Sequence, residues 1–290
     1  MKSGIVGAAS AMFLVGTLAG VSGLIGGYPI YGGQAVRYLV AAVILLVITR
    51  VLGLRFVRPN LREALCLVGL ALFGLVMFNV CVVESTNDSG PALVGTVLGT
   101  VPLALALAGG RPAPRLLIGA CVVVAGATLA TGLGSGNLTG LLWALGALVG
   151  ELCFSLLAIP LLPRLGAIRV SAYSTTLAVP MLGAIGFASE GTGMLRMPTV
   201  AEALGLAYLA IVVTVVAFFL WYTSLPKLGP GRAGLFAGLI PVAAITTGAV
   251  LGIATPSAYD LLGAGLVIAG ILVGLTAGRS RAPVAAPNEA

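Results

Sequence analysis

The sequence predicts an all-α membrane protein: ten transmembrane helices built as two inverted five-helix repeats. Three observations carry this reading: the composition, the alternation of basic residues between apolar runs, and an internal duplication. Of 290 residues, 59% are hydrophobic and only 8% are charged. A soluble protein averages about 25% charged, so this chain has too few charges to cover a globular surface. Glycine is also abundant, at 42 residues, as it is in membrane helices. The formal net charge is +7. Its basic residues sit between apolar runs, so they report membrane topology and not a nucleic-acid partner.

Apolar runs fall at about 4–22, 33–52, 62–83, 91–109, 114–131, 139–159, 170–188, 202–223, 231–252 and 258–277. Each is near the ~20 residues that a helix needs to cross the hydrocarbon core. The first, in "MKSGIVGAASAMFLVGTLAGVSG", is longer than the apolar core of a signal peptide and reads as a retained helix. The connections are short and carry Gly, Pro or charge. The segment 279–290, "RSRAPVAAPNEA", reads as a disordered cytoplasmic tail. Cys66, Cys81, Cys121 and Cys153 lie scattered in apolar runs with no C-x-x-C spacing, as small buried hydrophobes do.

The basic residues set the orientation. The N-terminus and every second connection hold Lys2; Arg50, Arg55, Arg58 and Arg62; Arg111 and Arg115; Arg164 and Arg169; Lys227 and Arg232; Arg279 and Arg281. That is thirteen of fifteen, while the opposite connections hold only Arg196 and Arg37 lies within the second span. Basic loops stay cytoplasmic. Both termini are therefore expected inside, in the cytoplasmic (inner) membrane, with the lipid bilayer as the surrounding partner.

The duplication follows from two ordered blocks. "GPALVGTVLGTVP" (Gly90 to Pro102) compares with "GPGRAGLFAGLIP" (Gly229 to Pro241), with both prolines aligned at an offset of 139 residues. "IGACVVVAG" (Ile118 to Gly126) compares with "LGAGLVIAG" (Leu262 to Gly270) at an offset of 144. The repeats are expected at 1–135 and 136–278. Five is odd, so the second repeat enters the membrane from the opposite side, the inverted arrangement of many secondary transporters. Pro91 and Pro230 sit at helix starts, where proline is tolerated. Pro102 and Pro241 sit inside spans and are expected to kink them.

Enzyme chemistry finds little to work with. There is no histidine, which removes the usual general base and the commonest metal ligand. Asp88 and Asp260 lie at connections, so no intramembrane aspartyl dyad forms. No G-x-x-x-x-G-K-[ST] phosphate loop occurs. A non-enzyme without cofactor or metal is expected.

Two ionisable residues fall within spans, where such residues usually face a bundle interior or a wet cavity. Arg37 lies about five residues from the end of its span. Its long stem can snorkel to the interface, pair helices, or meet a substrate anion. Glu151 lies about twelve residues into the sixth span, near the midplane at about 1.5 Å per residue. Ala144, Ala147, Ser155 and Ala158 share its helix face, a small and slightly polar stripe suited to close packing or a cavity wall. A carboxylate there is placed to exchange protons or to pair with a cationic solute. A protonated Glu bonded to a neighbouring helix is the structural alternative.

The chain resembles the EamA-type ten-helix exporters of the drug/metabolite transporter superfamily. The residues that carry the resemblance are "FLWYTSLPKLGPGRAGLFAGLIPV" (Phe219 to Val242), its counterpart "NVCVVESTNDSGPALVGTVLGTVPL" (Asn79 to Leu103), and Arg37 in "GGQAVRYLVAA". It covers about residues 1–278. Two departures stand out: "FLVGTLAG" replaces the family's usual Trp-Gly element, and Glu151 stands where an aromatic or apolar residue is more common. The resemblance implies a central cavity lined mainly by spans 1, 3, 4, 6, 8 and 9. That adds Asn79, Glu84, Thr96, Thr100, Ser155, Thr214, Trp221 and Tyr222 as candidate pathway residues. Their ordinary roles compete: Ser and Thr bond to helix carbonyls, and Trp221 and Tyr222, near a helix end, suit an interfacial belt or a gate. The implied function is secondary export of small organic solutes (amino acids, metabolites or drugs) by alternating access, with the two halves rocking about a midplane site. Proton-coupled exchange and facilitated diffusion both fit. A non-transporting scaffold or partner subunit is the alternative.

Overall fold

A computed structural model describes residues 2–132, 134, 136–252 and 255–276. The expected tail at 279–290, with Arg279 and Arg281, lies outside the described residues. Among the described residues ten helices are long and apolar enough to cross a membrane: α1 (Lys2–Val21), α2 (Ile30–Val51), α3 (Leu61–Ser89), α4 (Pro91–Ala108), α5 (Pro114–Thr131), α6 (Leu138–Leu156), α7 (Leu162–Met194), α8 (Val200–Leu228), α9 (Pro230–Val250) and α10 (Ala258–Leu275). Three exceed their sequence expectation. α3 runs on through Asn87 and Asp88, and α8 through Thr223–Leu228. Polar side chains end an apolar run, but they do not end the backbone ladder when they reach its last turns. α7 gains a leading turn, Leu162–Leu165, joined to its main body at Gly166 (φ 73°). Only glycine takes that left-handed bend at little cost.

The same backbone devices recur 139 residues apart. α3 opens on a capping box, with the Asn60 side chain accepting from Glu63 N–H and the Glu63 carboxylate accepting from Asn60 N–H. α8 opens on the same box, built from Thr199 and Glu202. Each satisfies two backbone donors that a helix start leaves bare. α3 then widens into a π-helical segment at Leu70–Met77, and α8 at Leu209–Val216. α3 ends at Gly90 (φ 78°) and α8 at Gly229 (φ 77°). In both, the next helix begins on the following proline, where the missing N–H costs nothing. α3 and α8 begin on opposite faces of the ten-helix array. Pro102 and Pro241 each stand in the first turn of a restarted helix, after a break at 99–100 in α4 and a 3₁₀ turn at Leu235–Gly238 in α9.

Glycine sets the closest helix approaches. α5 and α10 meet along a seam in which a Cβ on Gly126 would fall 2.7 Å from Gly263 O. One on Gly270 would fall 2.7 Å from Val123 N, and one on Gly119 2.5 Å from Gly274 N. Small residues let membrane helices pack backbone to backbone, where apolar burial supplies no drive. Gly150 likewise sits against Phe73 and Phe78 of α3, and Gly7 against Ser224 of α8. Large apolar side chains such as Leu142, Leu204 and Leu272 point outward, as a lipid-facing surface requires.

The two faces are tied by arginine. On the face rich in basic residues, Arg164 Nη1 lies 2.6 Å from Glu63 Oε2. Its Nη2 donates to Arg58 O at 2.6 Å, and Arg169 Nε donates to Arg55 O at 3.0 Å. On the opposite face Arg196 pairs with Glu202. It also donates to Gly27 O at 2.8 Å, and its carbonyl accepts from Tyr28 OH at 2.9 Å. Each capping-box glutamate thus accepts an arginine as well as its own helix start.

Candidate functional site

A cavity of about 280 Å³ lies between α1, α2, α3, α4, α6 and α8. Most of its wall is apolar, including Met12, Phe78, Phe154 and Phe218. Its polar lining is short: Gln34, Arg37 and Tyr38 from α2, Asn79 from α3, Glu151 from α6 and Trp221 from α8.

Arg37 stands seven residues inside α2, farther than its sequence suggested, because the helix starts at Ile30. It is 6% exposed, so its stem does not snorkel. Nε donates to Thr214 Oγ1 at 2.8 Å and Nη1 to Gln34 Oε1 at 3.2 Å. The guanidinium carbon lies 5.3 Å from the centre of the Tyr38 ring, within cation–π range. Thr214 belongs to the π segment of α8, and its hydroxyl donates to Leu209 O, five residues back, at 2.9 Å. Its donor is used on its own widened turn, and its lone pair is left to take the arginine. Arg37 therefore both ties α2 to α8 and presents a fixed positive charge to the cavity.

Glu151 enters from the other side. Its small stripe packs tightly: Ala144, Ala147, Ser155 and Ala158 are all fully buried. The carboxylate itself faces the cavity. Among the described residues no donor lies within hydrogen-bond reach of it, and it forms no ion pair with Arg37. A buried charge is tolerated when water or a partner meets it. Here a guanidinium and a carboxyl group share one cavity with no hydrogen bond or ion pair between them.

The remaining sequence candidates divide. Asn79 lines the cavity and donates from Nδ2 to Tyr38 OH at 3.1 Å and to Leu75 O at 2.6 Å. Trp221 lines it too, is 1% exposed, and its Nε1 has no partner. Tyr222 is equally buried and donates to Phe154 O at 3.4 Å. Neither belongs to an interfacial belt, because α8 continues to Leu228 beyond them. Ser155 is buried with an unpartnered hydroxyl and does not line the cavity. Glu84 lies just past the lining residue Val83 and accepts from Tyr31 OH at 2.7 Å. Thr96 and Thr100 are not in the cavity; α4 contributes only Leu98. Thr96 Oγ1 bonds Ala92 O and Gly132 O, and Thr100 Oγ1 bonds Val97 O, so both hydroxyls are spent on backbone.

Sequence reasoning missed Gln34, Tyr31 and Tyr38. A signal was present: Tyr31, Gln34 and Tyr38 fall at three- and four-residue steps, on one face of α2 with the arginine beside them. The aromatic lining of Phe78, Phe154 and Phe218 carried none, since phenylalanine in an apolar run is expected anywhere.

Residues 136–276, which hold α6 to α10, match the EamA-like transporter family. The chain is 25% identical over 282 residues to the "Uncharacterized transporter YetK" of Bacillus subtilis (strain 168), covering 92% of this chain and 85% of that protein. It is 28% identical over 270 residues to the "Uncharacterized inner membrane transporter YedA" of Escherichia coli (strain K12), covering 87% and 84%. A solved crystal structure superposes with a TM-score of 0.78 at 19% identity, covering 94% of this chain and 96% of that one, which bears on the fold alone.

Proposed function

We propose, from the premise that this chain is an EamA-type transporter of the drug/metabolite transporter superfamily, that it exports small organic solutes as a secondary transporter working by alternating access. The observation that carries this reading is the shared cavity with Arg37 on one wall and Glu151 on the other, each open to a ligand and neither neutralised by the other. A polar solute with an apolar body fits: its anionic or acceptor group meets Arg37, its cationic or donor group meets Glu151, and its body packs on Phe78, Phe154 and Phe218. A scaffold has no use for two uncompensated charges in a cavity.

Residues 1–135 and 136–278 form the two inverted repeats. The face rich in basic residues is cytoplasmic, in the inner membrane. Single cysteines at Asn137 and Ser257 are expected to label from outside, and at Asn60 and Ala113 only after permeabilisation. Reversal at either pair removes this orientation.

Substrate counterflow in reconstituted vesicles tests the function, with amino acids, related metabolites and amphipathic cations as the first panel. Glu151→Gln keeps shape and hydrogen bonding but cannot titrate. Loss of gradient-driven transport with counterflow retained assigns proton exchange to Glu151. Loss of affinity for cationic solutes assigns it to binding instead. Unchanged transport with an unchanged pH profile rules out both.

A further inference from the structure

Chemically different contacts flank the cavity at its two ends. Towards the basic face, Phe154 of α6 meets Phe218 and Tyr222 of α8 with ring centres 4.8 and 5.1 Å apart. All three rings are buried, as is Trp221 beside them. Towards the opposite face the contact is polar. Tyr31 OH donates to Glu84 Oε1 at 2.7 Å, joining α2 to α3 one turn beyond the lining residue Gln34 and one residue beyond Val83. Below it, Asn79 Nδ2 donates to Tyr38 OH at 3.1 Å as a second rung between the same helices. Tyr31 is held firmly from behind. Its backbone N–H and that of Gly32 both donate to the Glu190 carboxylate, at 2.9 Å each, which seats the start of α2 on the end of α7.

We propose that the Tyr31–Glu84 hydrogen bond is a latch across the mouth of the cavity, and that the aromatic contact is the standing barrier at the other end. Resting on the transporter reading, this assigns a gating role to two side chains outside the binding surface. The physical reason is the cost of parting each contact. Separating buried aromatic rings exposes a large apolar area to water. Parting a tyrosine from a carboxylate exchanges one hydrogen bond for water bonds to the same groups, so the net cost is small. The mouth beside Glu84 therefore opens first, and Tyr31, fixed by Glu190, stays in place to re-form the bond.

Accessibility of a cavity cysteine tests this without any substrate. Val82→Cys is introduced with the four native cysteines replaced, and a membrane-impermeant maleimide is applied to sealed vesicles of both orientations. Cysteines at Ala113 and Ser257 mark the two faces. Tyr31→Phe and Glu84→Ala each remove the bond and leave the Glu190 contacts intact. Both are expected to speed labelling from the Ser257 face by up to about ten-fold, the upper end for one intramolecular hydrogen bond, without a rise from the Ala113 face. Glu84→Gln keeps an acceptor for Tyr31 and is expected to label near the parent rate. Wild-type labelling in Tyr31→Phe, or an equal rise from both faces, overturns the latch. A face-specific rise in a chain that shows no counterflow keeps the latch and removes the transporter reading.

Discussion

The first five helices and the last five share a frame and differ in their chemistry. α3 and α8 repeat each other's capping box, π segment and terminal glycine at a constant interval of 139 residues. α1 and α6 approach those partners in the same way: a Cβ on Gly4 would meet Lys227 and Leu228, and one on Gly140 would meet Asp88 and Ser89, the same two positions one repeat earlier. Yet eleven residues beyond Gly140 stands Glu151, and eleven beyond Gly4 stands Val15. Thr214, which holds Arg37, corresponds to Leu75, and Asn79 corresponds to Phe218. The backbone devices recur in both halves, while Arg37 and Glu151, the charged side chains of the cavity, each stand in one half only. A cavity with matching walls would offer a solute two equivalent poses. In this cavity Arg37 stands on the α2–α8 wall and Glu151 on the α6 wall, so its two sides differ in chemistry.

The seam between the copies gives the largest expected effect. Gly126→Leu or Gly270→Leu forces a side chain into backbone of the partner helix, and overpacking with no room to shift costs at least several kcal/mol. Size-exclusion profiles in detergent should show loss of folded protein. Gly265→Leu, on the same helix but with nothing within 4 Å, should fold normally. Equal behaviour of these variants would mean that the halves are not joined at this seam.

Next comes the asymmetry itself. Arg37→Gln should fold and insert but lower counterflow by at least about ten-fold, since it removes a buried charge available to the solute. Thr176→Val, at the corresponding position of α7, should leave transport unchanged. A loss in both would return the site to twofold symmetry.

Smaller effects should show the shared frame. Asn60→Ala and Thr199→Ala each delete the N-cap of a capping box and should cost about 1 kcal/mol apiece, seen as similar drops in thermal midpoint. Unequal drops would show that the two starts are supported differently by Arg164 and Arg196. Smallest of all, Thr100→Val should change stability by no more than about 0.5 kcal/mol and leave transport intact, because its hydroxyl serves only Val97 O.

The spans were legible because hydrocarbon admits little else: an apolar run of the right length has few other fates. The place of Glu151 at a cavity was legible for the converse reason, as an ionisable residue that is costly against lipid. Helix ends were less so, since Asn87, Asp88 and Lys227 break an apolar run without breaking a helix. The π segments "LALFGLVM" and "LAIVVTVV" read as ordinary helix, because a widened turn is chosen by packing against neighbours and leaves no composition of its own. That hid the reason Thr214 can hold Arg37. Tyr31 lies ahead of the apolar run that begins at residue 33, within the first turn of a helix that begins at Ile30, so the run carries no signal for it. Thr96 and Thr100 lie outside the cavity lining, and a threonine that satisfies its own helix and one that meets a solute look alike in sequence.

The glycine seam also has a consequence for the order of assembly. Chains are synthesised from the N-terminus, and domains generally fold in that order. α5 leaves the ribosome well before α10, so its glycine groove faces lipid through the synthesis of five further helices. The first half is thus an unfinished object until its partner arrives, and the last described helix to be made is the one that completes it. Arrest of synthesis before α10 should leave an inserted chain that never acquires protease resistance, and supplying α10 as a separate polypeptide should restore it.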